Sequence, residues 1–157
     1  MSGPPDWAAD LGLPADVGVV ARLVRLELFL HRVLDDLAAA EGITFPDYLV
    51  LAVVRRSPDQ RATPGRLCEV LDRTSGGMTA TLDRLESAGW IVRAADPGDR
   101  RRVVVTCTAD GATLAARVNA ALHAWEDGLG LTPAQQRETA RATDRLLARL
   151  APVAASV

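Results

Sequence analysis

The sequence predicts a mainly α fold with one small β-hairpin, an α+β arrangement, and three observations carry that reading. Apolar residues recur at helical spacing through residues 16–40 and again through about 109–127. Two short helical segments, about 64–71 and 75–88, are separated only by Asp72, Arg73 and Thr74, which makes a helix-turn-helix. Directly after Gly89, strands near 90–95 and 102–107 flank the tight turn Asp96-Pro97-Gly98-Asp99 and the three arginines 100–102. Helix, hairpin and arginine-tipped turn in this order describe a winged helix. That architecture places one helix in a DNA major groove and a basic loop in the flanking minor groove.

Each element has a local cause. Residues 1–15, rich in Pro, Gly, Ala and Asp, read as a loose arm whose Trp7 and Leu11 are available to dock on a partner. The helix at about 16–40 has a narrow charged row, Arg22, Arg25, Arg32 and Asp36. Its broad apolar face holds Leu23, Leu26, Leu30 and Leu34, and Val24 and Leu28 add a second apolar side. A helix apolar over most of its circumference must be covered over most of it, and a second copy of the chain is the simplest cover. Thr44 reads as the N-cap of a helix reaching Arg56. Thr63 before Pro64 opens the first helix of the pair, because proline suits the first helical position. Thr74 or Ser75 caps the second, and Thr108 caps a helix at about 109–127 that Gly128 and Gly130 end. Thr132-Pro133-Ala134-Gln135 is a capping box for a final helix to about Leu150, with Leu147 and Leu150 assigned to the dimer interface. The organisation expected is a single domain over 16–157, with a DNA-binding lobe at about 44–107 and dimerisation helices at about 16–40 and 109–150.

Composition narrows the function classes. No apolar run reaches the roughly 18 residues a membrane span needs. The start, MSGPPDWAAD, lacks the basic and apolar regions of a signal peptide, so a cytoplasmic location is expected. Cys68 and Cys107 have no zinc-ligand spacing and read as buried structural thiols. His31 and His123 stand alone on helices, and no constellation suggests enzyme chemistry, a metal or a cofactor. The net charge of −2 argues against nucleic acid, but charge distribution matters more than its sum. All 18 basic residues are arginine, and residues 100–102 form the only run of three.

The set Ser75-Gly76-Gly77-Met78-Thr79, Leu82-Asp83-Arg84-Leu85-Glu86, Gly89-Trp90 and Asp96-Pro97-Gly98-Asp99-Arg100-Arg101 resembles the MarR family of bacterial transcription regulators, dimeric winged-helix proteins. The family's wing pattern falls on Asp99, Arg101, Cys107, Thr108 and Gly111, with cysteine where leucine is usual. The resemblance implies that Arg101 enters the minor groove, held by Asp99. A narrow minor groove concentrates negative potential and attracts arginine. The alternative is an exposed hairpin charge pair. Arg100 and Arg102 should point away from Arg101 and are phosphate candidates, as is Arg73 in the turn. Ser75, Gly76 and Gly77 let the helix start approach DNA closely, and its free N–H groups favour phosphate. Thr79 and Thr81 are candidates for base edges or a thymine methyl. Arg84 is assigned to a phosphate or guanine, with a salt bridge to Glu86 or to neighbours of Asp83 as the alternative.

These assignments converge on a homodimeric regulator, a repressor of a pseudo-palindromic site in double-stranded DNA. The resemblance adds the expectation of a small aromatic or anionic effector that releases the DNA. A winged helix used for protein contact, with no specific DNA site, is the competing class.

Overall fold

The computed structural model describes residues 18–96, 98–99 and 101–154. The expected arm at 1–15 and Arg100 lie outside the described residues. The chain divides into two compact units, Met1–Asn119 and Ala120–Val157.

In the first unit, α1 (Val19–Ala40) ends where Glu41 and Gly42 return their N–H groups to Ala38 and Ala39. Thr44 then caps α2 (Phe45–Arg56), its hydroxyl accepting from the Asp47 N–H at 3.2 Å. A 3-10 turn at Pro58–Gln60 leads to β1 (Arg61–Ala62). Thr63 caps α3 (Pro64–Leu71) with proline at its start, and Thr74 caps α4 (Ser75–Ser87). The connecting turn is tight because Asp72 adopts a left-handed backbone, φ 48°. Gly89, at φ 75°, ends α4 and admits β2 (Ile91–Ala95) at once. β2 pairs antiparallel with β3 (Val103–Cys107), Ile91 opposite Cys107 and Ala95 opposite Val103.

The wing is a three-stranded sheet, not a hairpin alone. β1 pairs with β3 on its other edge, Arg61 opposite Thr106 and Ala62 opposite Val105, giving the order β1-β3-β2. Two residues are too few to show the alternation by which a strand is read from sequence.

The core lies under α2, α3, α4 and the sheet. Val50, Leu51, Val54, Leu67, Met78, Leu82, Leu85, Val105 and Val118 are all but inaccessible. α5 (Ala109–Gly128) begins against β2, where Thr108 receives the Gly111 N–H at 3.0 Å and donates to the Gly89 carbonyl at 2.7 Å. Gly111 is required there: a Cβ would stand 1.9 Å from the Trp90 carbonyl oxygen.

The second unit holds the rest of α5 and α6 (Pro133–Ala154). The capping box forms as the sequence indicates. Gln135 Oε1 accepts from the Thr132 N–H at 2.9 Å, and the Gln135 N–H returns to Thr132 Oγ1 at 3.3 Å. Leu147 and Leu150 are 60% and 45% exposed.

Candidate nucleic-acid interface

α4 is held by one face and bare on the other. Met78, Thr81, Leu82 and Leu85, at helical spacing, are each at most 1% exposed and fasten the helix to the core. Ser75, Gly76, Gly77 and Thr79 are exposed on its first turn and a half. Thr74 Oγ1 takes the Gly77 N–H at 3.2 Å, and the Thr79 hydroxyl donates to the Ser75 carbonyl at 2.9 Å. The first-turn N–H groups of a helix favour an anion by partial charge and unmet hydrogen bonds.

Burial corrects the assignment of Thr81 to base contact. It is 1% exposed, and its hydroxyl accepts from Arg84 Nη2 at 3.2 Å. Helical spacing puts Thr81 beside Met78 and Leu82 on the packed side, so it braces rather than touches.

Arg84 is engaged from below. Its Nη2 lies 2.7 Å from Asp47 Oδ1 and its Nε 3.4 Å from Oδ2, and the Asp47 side chain is only 7% exposed. Hydrogen bonding to Asp47, then its charge, raises the Arg84 pKa further above its ordinary value. The pair ties α4 to the start of α2. Glu86, one of the alternative partners expected for Arg84, is taken by another arginine: Arg93 of β2 binds Glu86 Oε2 at 2.9 Å through Nε, and also Asp83 Oδ1 at 2.8 Å. Its backbone N–H also donates to Glu86 Oε1 at 3.1 Å. These bonds hold the Glu86 carboxyl below the usual glutamate range. Together they lash the wing to α4. Sequence spacing carries one sign of this clamp, since Asp83 and Glu86 are three apart and share a helix face. Asp47 carries none, being 37 residues from its partner.

The wing tip is closed by its own backbone. The Asp96 N–H donates to the Arg102 carbonyl at 2.8 Å, and the Arg102 N–H to the Asp99 carbonyl at 2.9 Å. The Gly98 N–H donates to Asp96 Oδ1 at 2.7 Å. Asp99 Oδ1 accepts the Arg101 backbone N–H at 3.0 Å, so the carboxylate sets the main chain at Arg101 and not its guanidinium. Arg101 and Arg102 are exposed, and among the described residues neither has a carboxylate partner. Arg73, half-buried in the turn between α3 and α4, donates its N–H to the Cys68 carbonyl at 2.9 Å.

Cys68 and Cys107 are half-buried against the core. Burial pushes the Cys107 thiol up, and the nearby Arg55 offsets part of that rise. Among the described residues no group of His, Cys, Asp and Glu could hold a metal, and no single helix is long and apolar enough to cross a membrane.

The helix-turn-helix and most of the wing, residues 41–102, match the MarR family profile. Over those residues the chain is similar to the MarR family. PecS, an HTH-type transcriptional regulator of Dickeya dadantii, is 34% identical over 101 residues, 64% of this chain and 61% of PecS. The HTH-type transcriptional repressor Rv2887 of Mycobacterium tuberculosis is 29% identical over 138 residues, 87% of this chain and 98% of the repressor. A mutant MarR from E. coli, crystallised with operator DNA, superposes with a TM-score of 0.63 at 26% identity. That match covers 83% of this chain and 99% of the MarR chain. The match thus spans about three fifths of PecS and nearly all of the repressor and of MarR. The bare first turn of α4, β2 and the wing turn lie in the part the MarR profile covers, and β3 follows it.

Proposed function

We propose that this chain is a homodimeric, sequence-specific DNA-binding regulator of the MarR family that represses transcription from a pseudo-palindromic site. One observation carries the reading. The exposed start of α4, with Ser75, Gly76, Gly77 and Thr79, lies on the same lobe as a wing whose Arg101 and Arg102 have no carboxylate partner among the described residues. The first fits a major groove and the second a flanking minor groove or phosphate. Arg73, Arg100 and Arg102 supply phosphate contacts, and Arg84 positions α4 through Asp47. The MarR relative solved with operator DNA and the mycobacterial repressor support the same reading.

Dimerisation supports half-sites about one helical turn apart. α1 and α6 each offer an apolar face to a second copy of the chain. Leu26 is 51% exposed and Leu147 60%, while Leu23, Leu30 and Leu34 are half-buried in the single chain. Release by a small anionic effector is supported by a cavity of about 340 Å³ between α2 and α5. Arg55, Arg56, Gln60 and Asn119 line it, and the Tyr48 hydroxyl donates to Asn119 Oδ1 at 3.4 Å.

Sequencing of DNA fragments captured from a random pool tests the proposal. A pseudo-palindrome enriched by the wild type and not by Arg101→Ala is the expected result. Capture without enrichment of any sequence would replace the regulator with a winged helix used for protein contact.

A further inference from the structure

A second basic concavity lies on the first unit, away from the bare turn of α4. It is an open groove of about 580 Å³ at the β1 edge of the sheet, walled by the end of α2, the 3-10 turn and α3. Four arginines line it, Arg56, Arg61, Arg66 and Arg102, and no acidic side chain does. Its floor is apolar, formed by Val53, Pro58, Ala62 and Val70, and Val70 is 44% exposed. Arg66 is paired outward with Glu69 at 2.7 Å. Arg56 reaches Asn119 Oδ1 at 3.4 Å and has no carboxylate partner among the described residues. Arg61 and Arg102 have no carboxylate partner among the described residues.

We infer that this groove binds an amphipathic dianion, a flat apolar group joined to a phosphate or a similar doubly charged head. With Glu69 neutralising one guanidinium, three positive charges remain over an apolar floor. A monoanion would leave most of that charge unbalanced, and a bare phosphate would leave Val53, Pro58 and Val70 facing water. Guanidinium forks match phosphate oxygens two at a time. The volume is in the range of small-molecule sites, roughly 300–1,000 Å³. A DNA backbone, running over convex surface, would reach the arginines at the rim and leave the floor uncovered. The groove shares Arg102 with the wing. A ligand that holds Arg102 withdraws it from DNA, so ligand and DNA should weaken each other by one common factor. This coupling rests on the DNA-binding reading; the ligand site itself does not.

Calorimetric titration of the DNA-free full chain with 2-naphthyl phosphate tests the site, with 2-naphthol and inorganic phosphate as comparisons. One saturable site per chain is expected, with at least about tenfold weaker binding of either comparison compound. Arg61→Gln should weaken 2-naphthyl phosphate by about tenfold, the scale of one charge-assisted bond. Val70→Asp should do so by a similar factor, whereas Arg137→Gln on α6, which lines neither concavity, should change nothing. No saturable binding, or binding that falls with Arg55→Gln in the other cavity and not with Arg61→Gln, overturns the site. Equal binding of inorganic phosphate overturns the amphipathic class. If Arg61→Gln spares 2-naphthyl phosphate but makes DNA affinity less dependent on salt, the groove holds DNA phosphate, and the proposal fails while the regulator stands.

Discussion

Arg101 and Arg84 are both arginines of the helix-and-wing motif, yet their surroundings differ: one is exposed at the wing tip and the other is paired with Asp47. Arg101 is exposed at a tip whose shape is fixed by backbone bonds and by Asp99. Arg101→Ala should therefore leave folding nearly unchanged and weaken specific DNA binding by about 1–3 kcal/mol, measured by shift assays at fixed salt. Arg84→Ala should behave in the opposite way. It strands the carboxylate of Asp47, which is 7% exposed, and leaving such an acceptor without its charged partner costs about 1–3 kcal/mol. Chemical denaturation of the two variants side by side measures the contrast, and equal loss of stability would refute it. Gly111→Ala should be worse than either, because its Cβ would overlap the Trp90 carbonyl at 1.9 Å. Gly111 is legible from the sequence because the motif that carries it is local. Asp47 is not, since its role depends on a partner 37 residues away, and Thr81 was misplaced because burial depends on which face of α4 meets the core.

At the scale of elements, capping chemistry made the helices easy to read. Thr44, Thr63, Thr74, Thr108 and Thr132 each receive a backbone N–H at the helix start expected of them. The third strand escaped, since Arg61–Ala62 is defined only by what β3 offers it. The relation between α4 and the wing also escaped, because it is set by Arg93 gripping Asp83 and Glu86. That clamp should have a pH signature. The folded Glu86 pKa lies below its unfolded value, so the contribution is present above the unfolded value of about 4.3 and is lost as pH falls through the folded one. Glu86→Gln should accordingly lower Tm relative to wild type at pH 7, with the gap closing towards pH 3. A gap independent of pH would mean that the carboxylate charge has no part in the clamp.

At the scale of the whole molecule, exposed apolar surface gathers on α1. Val20, Val24, Leu26 and Leu28 of α1 are each more than half exposed, and burying such surface yields about 25 cal/mol per Å². A dimer is expected at micromolar concentration by light scattering. Leu26→Glu should shift it to monomer and weaken operator binding with it, since one lobe reaches only one half-site. The acidic total, −2, decides little at this scale, because the distribution of charge matters more for contact with DNA than its sum. The proposed grip of the DNA-binding lobe on DNA, through Arg73 and the wing arginines, should show most directly in the salt dependence of affinity. Log affinity for a selected operator should fall linearly with log salt, because each neutralised phosphate releases condensed cations. Arg102→Ala should make that slope shallower by about one unit for each phosphate left without its guanidinium, while Arg84→Ala leaves it unchanged. Binding that is weak, indifferent to sequence and equally salt-dependent in wild type and Arg102→Ala would contradict the proposed grip.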